Sequence, residues 1–419
     1  MAREYPGRSR KSRKRNSSGT NAVVVDGYSQ RWLDQGFCWV YPKEVLHQPS
    51  KCRPGTTVQI RSEDGRDLGA GIWDNGWIAV RRFRSDHGAV DKKLLAERLD
   101  KSIALRRDLL DEQTTAFRWV NAENDGLPGI RIDAYAHFLV ISLDSPSLTC
   151  LLEPICELLE DRLQPRAIFQ AWRPDPRDKL DTHQLEDRLL RGHAPPGDVR
   201  VTERSIACLV RPGAGKDIGI FPDMRDNRAW LEPHWNGRRV LNLFGYTGFF
   251  SVVAAAHGAS ETVTVDLSSN FLDRAEANFQ ANGIDPANHL FMAGDVRKVL
   301  DRLRRTGEVF DIVVLDPPSF SHGPEGPMSV KKSLPGLVSS STRVLRDGGW
   351  LVASTNLGEL SPKDFHALVR NGARKSGCTL QLLHEGGQAS DFPSDTNFPE
   401  GRYLKFGVWR VSHNKSSSG

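Results

Sequence analysis

The sequence has 419 residues, of which 38% are hydrophobic, with a net charge of +5 and a pI near 8.9. This length suits roughly two to four domains, and no stretch approaches the roughly 18 consecutive apolar residues that a membrane helix needs. The six cysteines lie apart without CxxC or CxxH pairing, which predicts reduced thiols rather than a disulfide framework or a zinc site. We therefore expect a soluble cytoplasmic protein without a bound metal.

The basic excess is concentrated at the N-terminus. Residues 1–15 hold seven Arg or Lys residues against one acid, Glu4, and residues 1–21 lack the apolar segment of a secretory signal. Such a run cannot bury apolar surface, so we predict a disordered basic tail over residues 1–21. Two interpretations stay open: a solubilising tail, or an arm that binds phosphates by releasing counterions.

A small β-rich domain is predicted over residues 22–90. Its evidence is three short strand-like runs, GTTVQIRS, DLGAGIWD and GWIAVRRF, separated by Gly, Asp and Asn. The domain is either a barrel without a specific role or an RNA-binding barrel.

A central α+β domain is predicted over residues 91–213. Leucines and isoleucine at helical spacing predict a helix over Asp91–Leu110. Two strands should follow, joined by a tight turn at Asp125–Gly126, with another turn near Asp133. A second helix, SLTCLLEPICELLEDRL, a loop over Ala171–Gly197 and a return to strand character in VRVTERSIACLVRP complete the domain.

From Gly215 onward, short apolar runs alternate with amphipathic helices. The predicted strands are RRVLNLF, ETVTVDL, HLFMAGD, FDIVVLD and GGWLVAST, and the predicted helices include SSNFLDRAEANFQANG and VSSSTRVLRDG. This alternation predicts an α/β fold with a parallel, doubly wound sheet over residues 214–413. Residues 414–419 are predicted to be a flexible tail.

Ligand-binding signals stand at the ends of these strands. Gly245 and Gly248 lie in the first strand-to-helix turn, where small residues let backbone N–H groups approach a ligand. The next strands end in Asp266, which is placed to bind ribose hydroxyls, in Asp295, which could accept from an adenine amino group, and in Asp316. Each acid alone could be a helix N-cap, but the aligned set favours a nucleotide-like ligand. The turn lacks the third glycine of the dinucleotide fingerprint, which favours S-adenosylmethionine over a hydride carrier.

The stretch FDIVVLDPPSF ends an apolar strand in an acid and two prolines. Pro317 and Pro318 offer no backbone N–H and therefore stop a sheet ladder. Asp316 is thus predicted at the carboxyl end of a strand, where open α/β sheets bind ligands.

These motifs carry a family resemblance. Five stretches resemble motifs I to IV of class I S-adenosylmethionine-dependent methyltransferases: NLFGYTGFF, VDLS, ANFQANGI, GDVRKVL and FDIVVLDPPSF. More narrowly, nearly the whole chain after the tail resembles the PUA-domain-containing family of large-subunit rRNA (cytosine-5) methyltransferases. GFCWVYPKEV resembles its PUA barrel, VNAENDGLPGIRIDAYAHFLVISL its central domain, GIFPDMRDNRAWL the entry to its catalytic domain, and FPEGRYLKFGVWRV its closing strand pair. The resemblance implies a Rossmann-like methyltransferase domain preceded by a PUA-like β-barrel and a central α+β domain.

The resemblance also implies roles for matched residues. S-adenosylmethionine would contact Phe221, Arg225, Asn242, Phe244, Gly245, Tyr246, Thr247, Gly248, Asp266, Leu267, Asp295, Val296 and Asp316. Residues 242–248 would line its methionine portion, Asp266 would hold the ribose, and Val296 would pack beside the adenine. Core packing is an equal alternative for Phe221. Arg225 and Arg228 would face either solvent or RNA phosphate.

LDPPSF further resembles the D/N-P-P-Y/F motif of methyltransferases that act on base nitrogens. There the prolines aim a carboxylate or a backbone carbonyl at the base, and Phe320 would stack on it. The predicted catalytic residues are therefore Asp316, Pro317, Pro318, Phe320 and Asn356.

One expected residue is missing. Methylation at cytosine C5 needs a cysteine thiolate that attacks C6, and the cytosine-5 relatives carry it in a Ser-Cys-Ser-Gly-like stretch after the fifth strand. This sequence has ASTNLGEL there, with Thr355 or Asn356 at the cysteine position. Cys208 and Cys378 are expected to be small buried hydrophobes.

Asn356 has its own two interpretations. The stretch resembles the Ser-Asn-Asn of related guanine-N7 rRNA methyltransferases, in which an Asn could bind the base edge. A polar cap at the strand end is the equal alternative.

We therefore predict an S-adenosylmethionine-dependent RNA methyltransferase that acts on a base of large-subunit rRNA, at a nitrogen rather than at cytosine C5. Its expected partner is RNA and not a membrane, and the sequence leaves a homodimer open. Two alternatives stay open: a cytosine-5 enzyme with an unrecognised nucleophile, and a non-catalytic RNA-binding or ribosome-assembly protein with a degenerate methyltransferase domain. A small-molecule methyltransferase would leave the barrel and the basic arm unexplained.

Overall fold

The computed structural model describes residues 21–49, 52–74, 76–174, 177–178, 186–215, 217–323 and 326–414, without the side chains of residues 320–328. The basic tail and the flexible C-terminal tail therefore lie outside the described residues except at their inner ends. Within these ranges, no helix combines the length and the apolar composition that a membrane crossing requires.

The N-terminal domain contains a sheet of six strands. Its elements are β1 (Ala22–Val25), α1 (Gly27–Asp34), β2 (Trp39–Val40), a 3-10 turn (Pro42–Glu44), β3 (Val45–His47), β4 (Thr57–Ser62), β5 (Asp67–Trp73) and β6 (Val80–Arg84). The strand order is β2-β6-β5-β4-β1-β3, and the three predicted runs form the antiparallel pairs of β4, β5 and β6. Alternating burial along β4 places Val58 and Ile60 in the core of this domain.

The central domain is a sheet of five described strands, β11-β10-β9-β8-β7, covered on one face by two helices. Its elements are α2 (Lys92–Leu109), β7 (Ala116–Asn121), a 3-10 turn (Ala122–Asp125), β8 (Ile130–Tyr135), β9 (Phe138–Leu143), a 3-10 turn (Pro146–Leu151), α3 (Leu152–Leu163), β10 (Ala167–Trp172) and β11 (Arg188–Gly192). The predicted first helix is confirmed, and Asp91 caps it by accepting from the Leu94 N–H at 2.9 Å. A hairpin of β12 (Val199–Glu203) and β13 (Ile206–Val210) follows.

The turn predicted near Asp133 is found at Ala136–His137. Asp133 itself lies inside β8, where its carboxylate pairs with the guanidinium of Arg118 on β7. One prediction for this domain is wrong. The predicted loop over Ala171–Gly197 contains the edge strand β11, which lacks an apolar rhythm because it pairs only with β10 and is mostly exposed.

The C-terminal domain is the predicted doubly wound sheet, with the described order β16-β15-β14-β17-β20-β22-β21. Its strands are β14 (Arg239–Leu243), β15 (Glu261–Asp266), β16 (Leu290–Ala293), β17 (Phe310–Leu315), β20 (Leu345–Thr355), β21 (Cys378–Gly386) and β22 (Lys405–His413). Strands β14 to β17 and β20 run parallel, and β22 runs antiparallel to β20. A separate hairpin of β18 (Phe320–Gly323) and β19 (Gly326–Ser329) follows β17.

Helices cover both faces of this sheet. They are α4 (Arg225–Leu231), α5 (Phe249–Ala256), α6 (Ser269–Ala281), α7 (Val296–Arg305), α8 (Val330–Thr342) and α9 (Pro362–Lys375), with 3-10 turns at Pro222–Met224, Glu232–His234, Pro286–Asn288 and Pro399–Gly401. The predicted helix VSSSTRVLRDG is wrong in its bounds. Pro335 and Gly336 lie inside α8 and obscured its first half, whereas the strand begins already at Leu345.

The segment between β21 and β22 joins the three domains. Asp391 is fully buried, and its carboxylate accepts from the backbone N–H of Arg118 in the central domain at 2.7 Å. Its backbone carbonyl accepts from Arg106 on α2 at 2.9 Å. Phe398 stacks on Phe37 of the N-terminal domain with ring centroids 5.5 Å apart. The C-terminal sheet is therefore fixed against both preceding domains by its own chain.

Candidate active site at the carboxyl edge of the sheet

The strand register brings the predicted site residues to one edge. Leu243, the last residue of β14, pairs with Val265 on one side and with Leu315 on the other, and Leu315 pairs with Ala353. Because parallel strands end at the same edge, the residues that follow these positions converge there. The carboxyl edge of the sheet therefore holds the glycine turn, Asp266, Asp316 and Asn356.

The glycine turn has an unusual backbone. Phe244, Tyr246 and Gly248 all have positive φ, at 58°, 51° and 71°. A Cβ on Gly245 would lie 2.5 Å from Cγ2 of Thr264 on the neighbouring strand, so only glycine lets the turn pack this closely. The turn therefore packs directly against β15, and its Gly245 N–H donates to the carbonyl of Val265 at 2.8 Å.

Two predicted side chains serve the turn itself. Asn242 is buried and donates to the hydroxyl of Ser251 at 3.0 Å, and Thr247 is buried and donates to the carbonyl of Gly219 at 2.5 Å. These side chains hold the turn in shape, so a bound cofactor would meet the backbone here.

Asp266 is held with spare accepting capacity. One carboxylate oxygen accepts from the Tyr246 N–H at 2.9 Å and the other from the Ser268 N–H at 3.0 Å. A carboxylate oxygen has two lone-pair directions, so each can accept one more donor. The N-cap position of α6 belongs to Ser268, so Asp266 is not its N-cap residue. These two free acceptor positions fit a ribose, whose two hydroxyls can donate.

Asp295 is a helix N-cap. Its Oδ1 accepts from the Arg297 N–H at 2.8 Å, and the Arg297 guanidinium contacts both carboxylate oxygens at 3.1 and 2.9 Å. The hydrogen bond from the Arg297 side chain lowers the pKa of Asp295. Val296 is buried in the core beneath. The cap alternative holds for Asp295, and its contact with adenine stays a prediction.

An aromatic group flanks the turn. The rings of Phe221 and Tyr246 lie 5.2 Å apart, and those of Tyr246 and Phe271 lie 4.6 Å apart. Phe221 is 52% exposed, so core packing is wrong for it, and Leu267 beside Asp266 is 54% exposed. Exposed apolar groups beside a polar cradle suit a ligand with both an apolar ring and hydroxyls, as S-adenosylmethionine has.

Arg225 and Arg228 face neither solvent nor an RNA phosphate, so both interpretations of these arginines are wrong. Each is only 3% exposed. Arg225 donates to Asp391 at 2.5 Å, and Arg228 forms a two-point ion pair with Glu203 at 2.6 Å for both contacts. A charged group this deeply buried needs a partner. The cofactor contact implied for Arg225 finds no support in this arrangement.

Asp316 lies at the end of β17, at the same carboxyl edge of the sheet. Its Oδ1 accepts from the Ser354 hydroxyl at 2.5 Å. Burial raises the pKa of Asp316 to about 6, while the Ser354 hydrogen bond acts in the opposite direction. Pro317 is buried and Pro318 exposed. Phe320 begins β18, and its side chain lies outside the described residues.

Asn356 lies beside this motif. Its side chain is exposed, and its carbonyl oxygen accepts from the Ser319 hydroxyl at 2.5 Å. The hydroxyl of Thr355 accepts from the Leu357 N–H at 3.3 Å and so caps the strand end. The capping role therefore belongs to Thr355, and the amide of Asn356 joins the DPPS turn at the open edge.

Sequence reasoning missed a half-buried pair close to Asp316. The hydroxyl of Tyr403 donates to Asp223 at 2.7 Å, across 180 residues of sequence. Burial raises the pKa of both groups, and the charge of Asp223 contributes to the raised pKa of Asp316. An acid after a proline looks like an ordinary turn residue, so no local signal could have paired it with a distant tyrosine.

The cysteines lie elsewhere. Cys208 and Cys378 are buried, as predicted, and burial raises the pKa of Cys208 to about 12. Cys378 pairs with His413, whose ring contacts the carbonyl of Leu345 at 2.9 Å, which is the starting end of β20. Cys378 is therefore at the opposite edge of the sheet. The other four cysteines belong to the N-terminal and central domains: Cys38, Cys52, Cys150 and Cys156.

Comparisons with known proteins agree with this architecture. Residues 195–398 match the S-adenosylmethionine-dependent methyltransferase family, and residues 23–85 match the PUA-like domain family. The chain is 34% identical over 385 residues to the ribosomal RNA large subunit methyltransferase I of Shewanella amazonensis, covering 91% of this chain and 97% of that protein. The protein of the same name from Aeromonas salmonicida is also 34% identical, and the match covers 88% of this chain and 93% of that protein.

Solved structures have the same arrangement of domains. SMU.776, a protein assigned as a methyltransferase and crystallised with SAH, superposes with a TM-score of 0.84 at 25% identity, covering 93% of this chain and all of that one. A Streptococcus mutans protein assigned as an S-adenosylmethionine-dependent methyltransferase gives a TM-score of 0.82 with the same coverage and identity. The chain belongs to the ribosomal RNA large subunit methyltransferase I family, whose members combine a PUA-like domain with an S-adenosylmethionine-dependent methyltransferase domain.

Proposed function

We propose that this enzyme methylates a base of large-subunit rRNA in the cytoplasm, at a nitrogen and without a covalent enzyme–base intermediate. The names of the relatives support the rRNA substrate, and the PUA-like domain supports an RNA partner. One observation carries the choice of atom: Thr355 or Asn356 occupies the position where a cysteine nucleophile is expected, and Asn356 contacts Ser319 of the DPPS turn.

The cofactor side of the mechanism is positioning. S-adenosylmethionine, when bound, supplies a methyl group activated by the sulfonium. The spare lone pairs of Asp266 would hold its ribose at the carboxyl edge, beside the turn of residues 244–248. Phe221 and Leu267 would cover its apolar parts and exclude water. Orientation of two reactants accounts for much of the rate enhancement in such a displacement.

The base side uses Asp316 and Asn356. A base nitrogen attacks through its own lone pair, so no thiol has to raise its nucleophilicity. The carboxylate of Asp316, ionised above pH 6 or so given its raised pKa of about 6, accepts a hydrogen bond from the base and receives the proton that an amine loses on methylation. The amide of Asn356 would bind the base edge beside it.

The alternatives explain less. A cytosine-5 enzyme needs a thiolate at this edge, yet the cysteines of the catalytic domain and its entering hairpin are Cys208, with a pKa of about 12, and Cys378, at the opposite edge. A degenerate, non-catalytic domain would have no reason to keep Asp266 with free lone pairs and Asp316 joined to Ser354.

Mass spectrometry of rRNA nucleosides tests the proposal. Large-subunit rRNA from cells with and without the gene is digested, and the purified enzyme is then given S-adenosylmethionine and rRNA from the deletion strain. We expect one N-methylated nucleoside to disappear on deletion and to return in the reaction. A missing 5-methylcytidine instead would overturn the nitrogen assignment, and an unchanged nucleoside profile would overturn the rRNA substrate.

A further inference from the structure

Lys405 places a buried ammonium group at the carboxyl edge of the sheet. The proposed mechanism does not use this group. Lys405 is the first residue of β22 and is paired with Thr355, the last residue of β20. Because the two strands are antiparallel, β22 starts at the carboxyl edge of the sheet, beside the candidate active site. The side chain is 5% exposed, which is rare for a lysine.

The ammonium group donates to two backbone carbonyls. Its Nζ donates to the carbonyl of Leu357 at 2.6 Å and to that of Tyr403 at 2.8 Å. Among the described residues, no ion pair of Lys405 within 4.0 Å is found. Its charge is therefore balanced by two carbonyl dipoles, and burial lowers the pKa of Lys405 to about 8.

The two carbonyls belong to the two halves of the base-facing site. Leu357 directly follows Asn356, whose amide contacts Ser319 at 2.5 Å. Tyr403 donates to Asp223 at 2.7 Å, behind Asp316. Lys405 therefore ties the turn that carries Asn356 to the segment that carries Tyr403.

A neutral, apolar side chain of similar length would lack these hydrogen bonds. The carbonyls of Leu357 and Tyr403 would then lose the donor that Lys405 provides. A methionine could fill the same space, since its side chain is also unbranched. What it could not do is hold two loop carbonyls at fixed positions through charge-assisted hydrogen bonds.

We propose that Lys405 is a positioning residue for methyl transfer, which fixes the loop of Asn356 against Ser319 and so sets the orientation of the target base. This inference rests on the proposed function. Its effect should appear in the turnover step, because RNA affinity comes mainly from contacts to phosphates elsewhere.

Steady-state kinetics of Lys405→Met, with Lys405→Arg as the conservative variant, test this role. We expect Lys405→Met to lower kcat at least tenfold, with KM for rRNA and Kd for S-adenosylmethionine within twofold of wild type. Lys405→Arg keeps a cation with several donors and should recover a substantial part of kcat. The exposed Lys375→Met is the matched control and should keep the wild-type kcat.

A double-mutant cycle distinguishes positioning from general damage. If Lys405 acts through Asn356, then Asn356→Ala should lower kcat much less in the Lys405→Met background than in the wild type. Fully additive losses, or a Lys405→Met variant with kcat within twofold of wild type, would overturn the inference. If Lys405→Met does not fold, Lys405→Gln is put through the same cycle with the same expectations. A wild-type enzyme that does not methylate rRNA at all would refute the proposed function itself, which is a separate outcome.

Discussion

The hydroxyl of Ser354 should control the pH at which the enzyme becomes active. Asp316 has its pKa raised to about 6 by burial, and the hydrogen bond from Ser354 opposes that rise. The folded pKa lies above the usual value, so the carboxyl takes up a proton as the pH falls through 6. Because the mechanism needs the carboxylate, kcat should fall on the acid side of pH 6.

The size of the effect follows from the contact. A hydrogen bond to a charged group contributes about 1.5 to 3 kcal/mol, and one pKa unit corresponds to about 1.4 kcal/mol. Ser354→Ala should therefore raise the pKa of Asp316 further, by roughly one to two units. With a rise of about 1.5 units, the ionised fraction at pH 6.5 falls from roughly three quarters to roughly a tenth. The rate at pH 6.5 should fall roughly eightfold, with little change at pH 9.

Transfer of a tritiated methyl group to rRNA, followed from pH 5 to pH 9, measures this shift. Ser412→Ala, an exposed serine on β22, serves as the matched control and should keep the wild-type profile. An acid limb that stays at the same pH in Ser354→Ala would refute the role of the hydrogen bond. A wild-type profile without an acid limb would refute the need for an ionised Asp316.

Three further predictions concern other parts of the domain. Asp316→Ala should abolish methyl transfer while Kd for S-adenosylmethionine, measured by calorimetry, stays within about threefold; retained activity would contradict its role. Asp266→Asn should weaken S-adenosylmethionine binding about tenfold or more, since an amide replaces an accepting carboxylate oxygen; unchanged affinity would refute ribose binding there. Arg228→Met should lower the free energy of unfolding by about 3 kcal/mol in urea titration, because Glu203 is left buried without its partner. The exposed Arg211→Ala should change it by less than about 1 kcal/mol, and equal effects would contradict the assigned burial.

The sequence predicted the catalytic sheet well, because parallel strands buried on both faces are continuous apolar runs with turn residues between them. The same runs located Asp266 and Asp316 at strand ends. The parallel register of β14 with β15 and β17 then brings both residues to the carboxyl edge of the sheet. The edge strand β11 escaped prediction because it is mostly exposed and therefore shows no apolar alternation. Helix α8 was misplaced because Pro335 lies inside it.

The site was predicted less completely where it depends on long-range contacts. Arg225 lies in a charged stretch that looks like an exposed helix face, yet Asp391, 166 residues later, buries it. Lys405 and Tyr403 belong to a closing strand and its preceding loop, and no spacing rule links them to Asn356. Such pairings follow from the antiparallel return of β22, which only the folded sheet reveals.

The central claim is methyl transfer to an rRNA base without a covalent enzyme–base intermediate. The most direct measurement is a denaturing gel of the enzyme after reaction with S-adenosylmethionine and large-subunit rRNA that contains 5-fluorocytosine, which traps a thiolate attached to C6. The structure predicts that rRNA becomes methylated while no protein–RNA adduct forms, because Thr355 or Asn356 occupies the position where the cysteine is expected. A stable adduct, mapped to any of the six cysteines, would contradict the account.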